Sequence, residues 1–281
     1  MVKIGDFNKL EVKRSTDFGY FLDGKTKNSK DDILLHKRLV GKNEVNVGDI
    51  VDAFIYIDSE GRKAATLIPP KAKVNEVAYL KVVAHTKIGS FIDIGLQKDI
   101  LVPFKAKTYD LEKGHRYLFY IYLDKTGRLA ATTEVEPYIE VAEVGTFKVG
   151  DEVTAMVFSK TPSGTLNVAI DAKYRGLVLP NEYYNEVHPG FEMNLRVKRV
   201  YEDGVIGLTP RKTRLNERDE LQDRIVTYMR KNGGFMEFND KSNPEDIKAT
   251  FGTSKNYFKM ALGGLMKAGK LVQDKEGSRL V

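Results

Sequence analysis

One six-residue phrase occurs twice in this chain, and no other feature narrows its fold as much. Gly61-Arg62-Lys63-Ala64-Ala65-Thr66 returns as Gly127-Arg128-Leu129-Ala130-Ala131-Thr132, each time just after an aromatic, hydrophobic segment that ends in Asp58 or Asp124. An internal repeat sets the architecture before any single residue is interpreted, because each copy must be one supersecondary unit. The spacing upstream repeats as well. Phe18-Gly19-Tyr20-Phe21 and Ile33-Leu34-Leu35-His36 in the first copy correspond to Ile88-Gly89-Ser90-Phe91 and Ile100-Leu101-Val102-Pro103 in the second. His36 precedes Gly61 by 25 residues and Pro103 precedes Gly127 by 24. A fainter third copy has Leu177-Val178-Leu179-Pro180 standing 24 residues before Gly204, with Thr209 five residues beyond that glycine, as Thr66 and Thr132 follow theirs. Three units are thus expected over 1–70, 71–138 and 145–211.

Each unit reads as strands. Asp49 to Asp58 mixes β-branched and aromatic residues with period-two character, breaks at Ser59-Glu60-Gly61 and resumes at Ala64, which is a hairpin pattern. Leu118 to Leu123 before Lys125-Thr126-Gly127, and Leu195 to Tyr201 before Glu202-Asp203-Gly204, repeat it. Alternation inside such strands buries about half the side chains, so core packing is expected for most of Tyr56, Phe119, Tyr120 and Tyr122. Tyr183 and Tyr184 fall in a loop and are expected to be exposed. Short strands, frequent turns and no long amphipathic helix predict a small five-stranded OB-type barrel in each unit, closed because closure removes exposed edges.

The order turn-Phe-Gly-x-Phe, apolar triplet with His, Val-Gly-Asp, a strand ending in Asp, then Gly-Arg resembles the S1 domain, an RNA-binding OB fold. The resemblance implies that two aromatics, a histidine, an aspartate and an arginine share one barrel face and contact single-stranded RNA. In the first unit these are Phe18, Phe21, His36, Asp58 and Arg62. The second keeps Phe91, Asp124 and Arg128, with Ile88 and Pro103 where an aromatic and the histidine would stand. By the same spacing the third has Pro180, Tyr201 and Val205 for the histidine, aspartate and arginine. It keeps the fold signal and loses the binding set, so a spacer or interaction role is expected of it.

The physics of such a face is independent of the family. A ring stacked on an unpaired base contributes about 1–3 kcal/mol with little sequence preference. Arg62 can pair bidentately with phosphate or stack on a base, and Asp58 can orient the guanidinium or accept from a base amino group.

After Pro210 the chain changes character. Residues 211–281 hold 15 basic and 10 acidic side chains, most of the formal net charge of +6. Asn216 followed by Asp219 predicts a helix start, and Leu221, Ile225, Tyr228 and Met229 form an apolar stripe that ends at Gly233-Gly234. Asn243-Pro244-Glu245-Asp246 opens a second helix with proline at its first position, and Ser254 caps a third whose apolar face is Phe258, Leu262, Leu265 and Met266. With a short strand at Phe235-Met236-Glu237-Phe238 and a hairpin from Leu271 to Val281, the order over 214–281 is that of a winged helix. The fold class expected is therefore mainly β with a small α+β C-terminal domain: three tandem S1-like OB barrels, then a winged helix. Lys255, Asn256, Lys259, Lys275 and Arg279 are candidate nucleic-acid contacts, since the third helix of such domains enters the major groove and the wing touches the backbone. DNA or another protein are the alternative partners of this module, which leaves a DNA-binding transcriptional regulator as the rival reading.

Several classes find no support. There is no cysteine, hence no disulfide or thiolate metal site. No phosphate-binding Gly-x-x-x-x-Gly-Lys-Ser/Thr loop occurs, and His36, His85, His115 and His188 lack metal-ligand spacing. Asp31-Asp32 and Glu245-Asp246 fall in a loop and a helix start. No cofactor, metal or catalytic residue is expected. Met1-Val2-Lys3-Ile4-Gly5-Asp6 lacks the apolar run of a secretory signal and no stretch approaches membrane-spanning length, which predicts a cytoplasmic protein with no membrane partner. Pro69-Pro70 and Glu136-Pro137 are neither long nor glycine-rich linkers, so limited flexibility is expected.

The whole-chain order, three such barrels with the third degenerate and a terminal winged helix, resembles the conserved virulence factor B family. That resemblance implies a non-enzymatic cytoplasmic RNA-binding regulator of gene expression.

Overall fold

The computed structural model spans residues 1–281 and describes all of them except Lys27, Tyr184, Asn185, Lys212 and Thr213, with backbone alone for 214–219. The chain divides into two units, Met1–Pro210 and Arg211–Val281.

The first unit holds three closed five-stranded barrels. Barrel 1 consists of β1 (Asp6–Ser15), β2 (Gly19–Leu22), β3 (Ile33–His36), β4 (Ile50–Ile57) and β5 (Lys63–Thr66), in the order β1-β2-β3-β5-β4. Closure depends on the long first strand, whose early residues Asp6 to Glu11 pair with β4 while Val12 to Ser15 pair with β2. The other seam is parallel, with Leu34 opposite Ala64. Barrel 2 repeats this with β6 (Val77–Thr86), β7 (Gly89–Asp93), β8 (Ile100–Pro103), β9 (Arg116–Leu123) and β10 (Leu129–Thr132). Barrel 3 repeats it with β11 (Glu152–Lys160), β12 (Leu166–Ile170), β13 (Tyr174–Val178), β14 (Glu192–Val200) and β15 (Ile206–Thr209). The expected mainly-β tandem of OB-like barrels is what the chain forms.

Two glycine positions explain why the repeat keeps glycine there. Gly61, Gly127 and Gly204 sit in the β4–β5, β9–β10 and β14–β15 turns with φ of +80°, +77° and +81°, a region that L side chains avoid. At the start of β2 and β7 the need is space, since a Cβ on Gly19 would lie 2.5 Å from the Leu35 carbonyl oxygen and one on Gly89 2.2 Å from that of Val102.

Each barrel has its own interior, such as Leu10, Val12, Leu22, Ile33, Leu35, Ala53 and Ile55 in barrel 1. The outward residues of β4 are buried too. Phe54 and Tyr56 join one apolar cluster with Leu80, Val82, Ile92 and Phe119 of barrel 2. The register of β4 on β5 and of β9 on β10 makes Tyr120 and Tyr122 the counterparts of Phe54 and Tyr56, because Thr66 and Thr132 stand opposite Phe54 and Tyr120. Tyr120 and Tyr122 in turn cluster with Met156, Phe158 and Ala169 of barrel 3. The same pair of outward aromatics thus docks each barrel onto the next. In barrel 3, Thr209 stands opposite Arg196, and Arg199 stands opposite Gly207, so two arginines occupy these two places.

Tyr183, expected to be exposed, is half-buried against the barrel 3 core and donates its hydroxyl to the Gly164 carbonyl. The ring is large and the core beneath it reaches the barrel end, so packing wins over solvation. Tyr184 lies outside the described residues.

The second unit is a winged helix: α1 (Arg214–Lys231), β16 (Phe235–Met236), α2 (Pro244–Phe251), α3 (Lys255–Lys267), β17 (Leu271–Gln273) and β18 (Ser278–Leu280), with sheet order β16-β18-β17. Its core contains Leu221, Ile225, Met229, Ile247, Phe251, Phe258, Leu262 and Leu265. Met266 does not belong to it and is exposed. Ala261 takes the expected place, since residues 258, 261, 262 and 265 line one helix face while 266 falls past its edge. Helix α1 begins at Arg214, two residues before Asn216, whose side chain lies outside the described ones.

Candidate nucleic-acid interface

The outer surface of barrel 1 carries a row of registered residues across four strands: Phe21 on β2 opposite Leu34 on β3, then Ala64 on β5, then Tyr56 on β4. Barrel 2 carries Phe91, Leu101, Ala130 and Tyr122 at the same places. Small residues on the parallel seam keep each row shallow. The row in barrel 3 is Asn167, Leu177, Gly207 and Arg199.

At one end of the barrel 1 row, Phe18 is 51% exposed and meets Phe21 edge-to-face at 6.2 Å. Phe21 is not an open platform. The Arg14 guanidinium lies 3.6 Å from its ring centroid. His36 is half-buried and accepts the Arg38 N–H through Nδ1 at 3.4 Å, capping the short 3-10 turn Lys37–Leu39.

At the other end, Asp58 locks the β4–β5 turn. Its Oδ1 accepts the N–H groups of Glu60 and Arg62 at 2.8 and 3.0 Å, and its Oδ2 accepts Nε and Nη2 of Arg62 at 3.1 and 2.9 Å. Arg62 also pairs with Glu60 at 2.7 Å. Desolvation alone would raise the Asp58 carboxyl, but the N–H and guanidinium of Arg62 with the Glu60 N–H outweigh it and hold it below the ordinary value. Asp124 plays the same part in barrel 2, accepting from Thr126 N–H, Thr126 hydroxyl and Arg128 N–H at 2.7, 2.7 and 3.0 Å. It too is lowered against the pull of desolvation, by the Thr126 hydroxyl first. Arg128 reaches across to barrel 1, where Nη2 donates to the Ser59 carbonyl at 3.1 Å. A second bridge runs from Arg38 Nη2 to Gln97 Oε1 at 2.8 Å.

Between these bridges lies a cleft of about 590 Å³. One wall is the barrel 1 turn with Asp58 and Arg62, and the other is the barrel 2 face with Phe91, Asp124 and Arg128. Five of the eight barrel residues singled out from sequence therefore meet in one place. Phe18, Phe21 and His36 do not line it. Arg38, Tyr56 and Gln97 do, and sequence reasoning missed them: Tyr56 reads as core by alternation, and no spacing marks the other two. Arg38, Arg62, Lys98 and Arg128 are matched there by four carboxylates, so the cleft is electrostatically balanced.

In barrel 3, Tyr201 and Val205 close the turn with the same backbone bond as Asp58 and Arg62. Leu177 stands opposite Gly207 as Leu34 stands opposite Ala64, so Leu179 rather than Pro180 occupies the level of His36. Proline misleads here because it opens the 3-10 turn after β13, whereas Pro103 ends β8 itself.

In the winged helix, Asn256 and Lys259 are exposed on α3 and Lys275 is exposed at the wing tip. Lys255 donates to the Lys241 carbonyl at 3.2 Å. Arg279 pairs with Asp274 and Glu276 at 3.4 and 3.2 Å and lies 4.6 Å over Phe235. Among the described residues no group of three or more His, Asp or Glu side chains could hold a metal ion, and no helix is long and apolar enough to cross a membrane.

The S1 domain family matches residues 4–67 and 76–134, and the CvfB-like winged helix domain matches residues 223–280. The chain is 35% identical over 275 residues to the uncharacterized protein YitL of Bacillus subtilis, covering 94% of this chain and 89% of that one. It is 27% identical over 293 residues to conserved virulence factor B of Staphylococcus epidermidis, covering 98% and 96%. A crystal structure of a multidomain protein with nucleic acid binding domains from Streptococcus pneumoniae superposes with a TM-score of 0.54 at 29% identity, covering 99% of this chain and 98% of that one.

Proposed function

The chain belongs to the conserved virulence factor B family, and on that premise we propose that it is a cytoplasmic, non-enzymatic protein that binds single-stranded RNA through its first two barrels and regulates gene expression by doing so. The observation that carries this reading is the convergence of Asp58 and Arg62 with Phe91, Asp124 and Arg128 on one inter-barrel cleft. A volume of about 590 Å³ falls within the ~300–1,000 Å³ range of sites that enclose small-molecule-sized groups, which suits an unstacked nucleotide. Tyr56 and Phe91 supply apolar walls, and the balanced arginines and carboxylates suit the donors and acceptors of base edges. Paired bases in a duplex hide their Watson–Crick edges and their π-faces, so a single strand is the ligand this geometry favours. The Streptococcus pneumoniae neighbour, described as carrying nucleic acid binding domains, is consistent with it.

Titration of the full chain with labelled single-stranded RNA, single-stranded DNA of the same sequence and duplex DNA tests the proposal. Single-stranded RNA should bind best, and Arg62→Ala with Phe91→Ala should weaken it by about tenfold or more. Unchanged affinity in that variant would sink the cleft assignment. If duplex DNA competes better than RNA and Lys259→Ala is the damaging change, the winged helix carries a DNA-binding function instead.

A further inference from the structure

The first strand of every barrel carries a β-bulge at the same place, between Val12 and Arg14, between Val82 and Ala84, and between Val157 and Ser159. A bulge re-aims the side chain that follows it. Here it sets that residue opposite the one at the end of the outer row: Arg14 opposite Phe21, Ala84 opposite Phe91, Ser159 opposite Asn167. One backbone device thus presents three chemistries. In barrel 3 the pair is polar and closed on itself, with the Asn167 amide donating to the Ser159 hydroxyl at 2.9 Å. In barrel 2 alanine is too short to cover a ring. In barrel 1 a guanidinium lies at 3.6 Å from the Phe21 centroid, a stacking distance.

Phe21 therefore does not offer its outer face to a ligand; the plane that faces solvent there belongs to Arg14. Its side chain is 50% exposed, and Asp32 approaches only to 3.9 Å, too far for a hydrogen bond. A guanidinium is planar, weakly hydrated and able to stack on both faces while its in-plane N–H groups bind phosphate. Held over Phe21, it is pre-organised and loses little freedom when a base settles on it.

We propose that the Arg14 guanidinium, held on Phe21, is a stacking and phosphate-binding platform for single-stranded RNA, so that barrel 1 is a cationic subsite and the bare Phe91 of barrel 2 a neutral one. This rests on the RNA reading of the first two barrels. It also supplies a half-exposed cation, paired among the described residues only with Asp32 at 3.9 Å, outside the cleft whose own charges balance.

The test is titration of labelled single-stranded RNA over a series of salt concentrations with the full chain, Arg14→Ala, Arg14→Lys and Ala84→Arg. Arg14→Ala should bind about tenfold more weakly, and the slope of log affinity against log salt should become shallower by about 0.7, the share of one cation on a single strand. Arg14→Lys should keep the slope and still bind several-fold more weakly, because an ammonium does not stack. Ala84→Arg builds the barrel 1 pair in barrel 2 and should tighten binding and steepen the slope. Tighter binding by Arg14→Ala would make Arg14 a cover over the ring and overturn the proposal, as would wild-type affinity and slope in Arg14→Ala or wild-type affinity in Arg14→Lys. If Arg62→Ala with Phe91→Ala still weakens binding in those cases, only the Arg14 platform falls. A wild-type chain that binds no single-stranded RNA removes the platform and the RNA reading together.

Discussion

Asp58 shows how one side chain can look like a ligand contact and also hold the backbone. It accepts two N–H groups of its own turn before it touches Arg62 through its second oxygen. Its carboxyl is held below the ordinary value, so its stabilising effect is complete above the unfolded value near pH 4 and fades as pH falls through the lower folded one. Asp58→Ala should therefore cost about 1–2 kcal/mol at neutral pH, and urea titrations repeated below pH ~3 should show the gap to wild type closing. A gap independent of pH would mean that the charge has no part in the lock. The Asp–Arg spacing of barrel 1 was legible in the sequence because both residues belong to one tight turn. What was not legible was that the identical spacing in barrel 2 sends Arg128 to Ser59 of another barrel, since a local motif carries no information about its neighbours.

Elements whose ends are set by local chemistry read well from sequence. Asn243 accepts the Glu245 N–H at 2.9 Å with Pro244 at the first helical position, and α2 ends on Gly252 in the left-handed region, as its composition suggests. Asn243→Ala should lower the stability of the winged helix by about 1 kcal/mol in a thermal melt, whereas no change would mean that solvent replaces the cap. Elements buried on two sides read less well. Alternation anticipates one buried face, yet both parities of β4 and β9 are buried, Phe54 and Ile55 alike at 0% exposure. Period two speaks of a single sheet and cannot announce that a second barrel covers the outer face. Tyr56, expected to pack in the core, does join the buried cluster, and its second place at the edge of the cleft depends on barrel 2 and is not written in its own strand.

At the scale of the first unit, the repeat specifies a docking rule as well as a fold. Phe54 joins the interior of barrel 2 to the outside of barrel 1, so Phe54→Ala should cost about 3–5 kcal/mol and divide a shared calorimetric transition of the two barrels into separate ones. A single transition merely shifted downward would show that the barrels are held together elsewhere. The rule ends at β14, where Arg196 and Arg199 stand in the places of the aromatics. Covering that face with another barrel would strip water from the exposed Arg199 guanidinium, at a cost of several kcal/mol. A terminal repeat with a polar outer face is how stacked arrays stop. Lengthening of this array by gene duplication would then be confined to positions ahead of the third barrel, because a copy inserted behind it would meet a surface that repels the apolar contact every earlier junction uses.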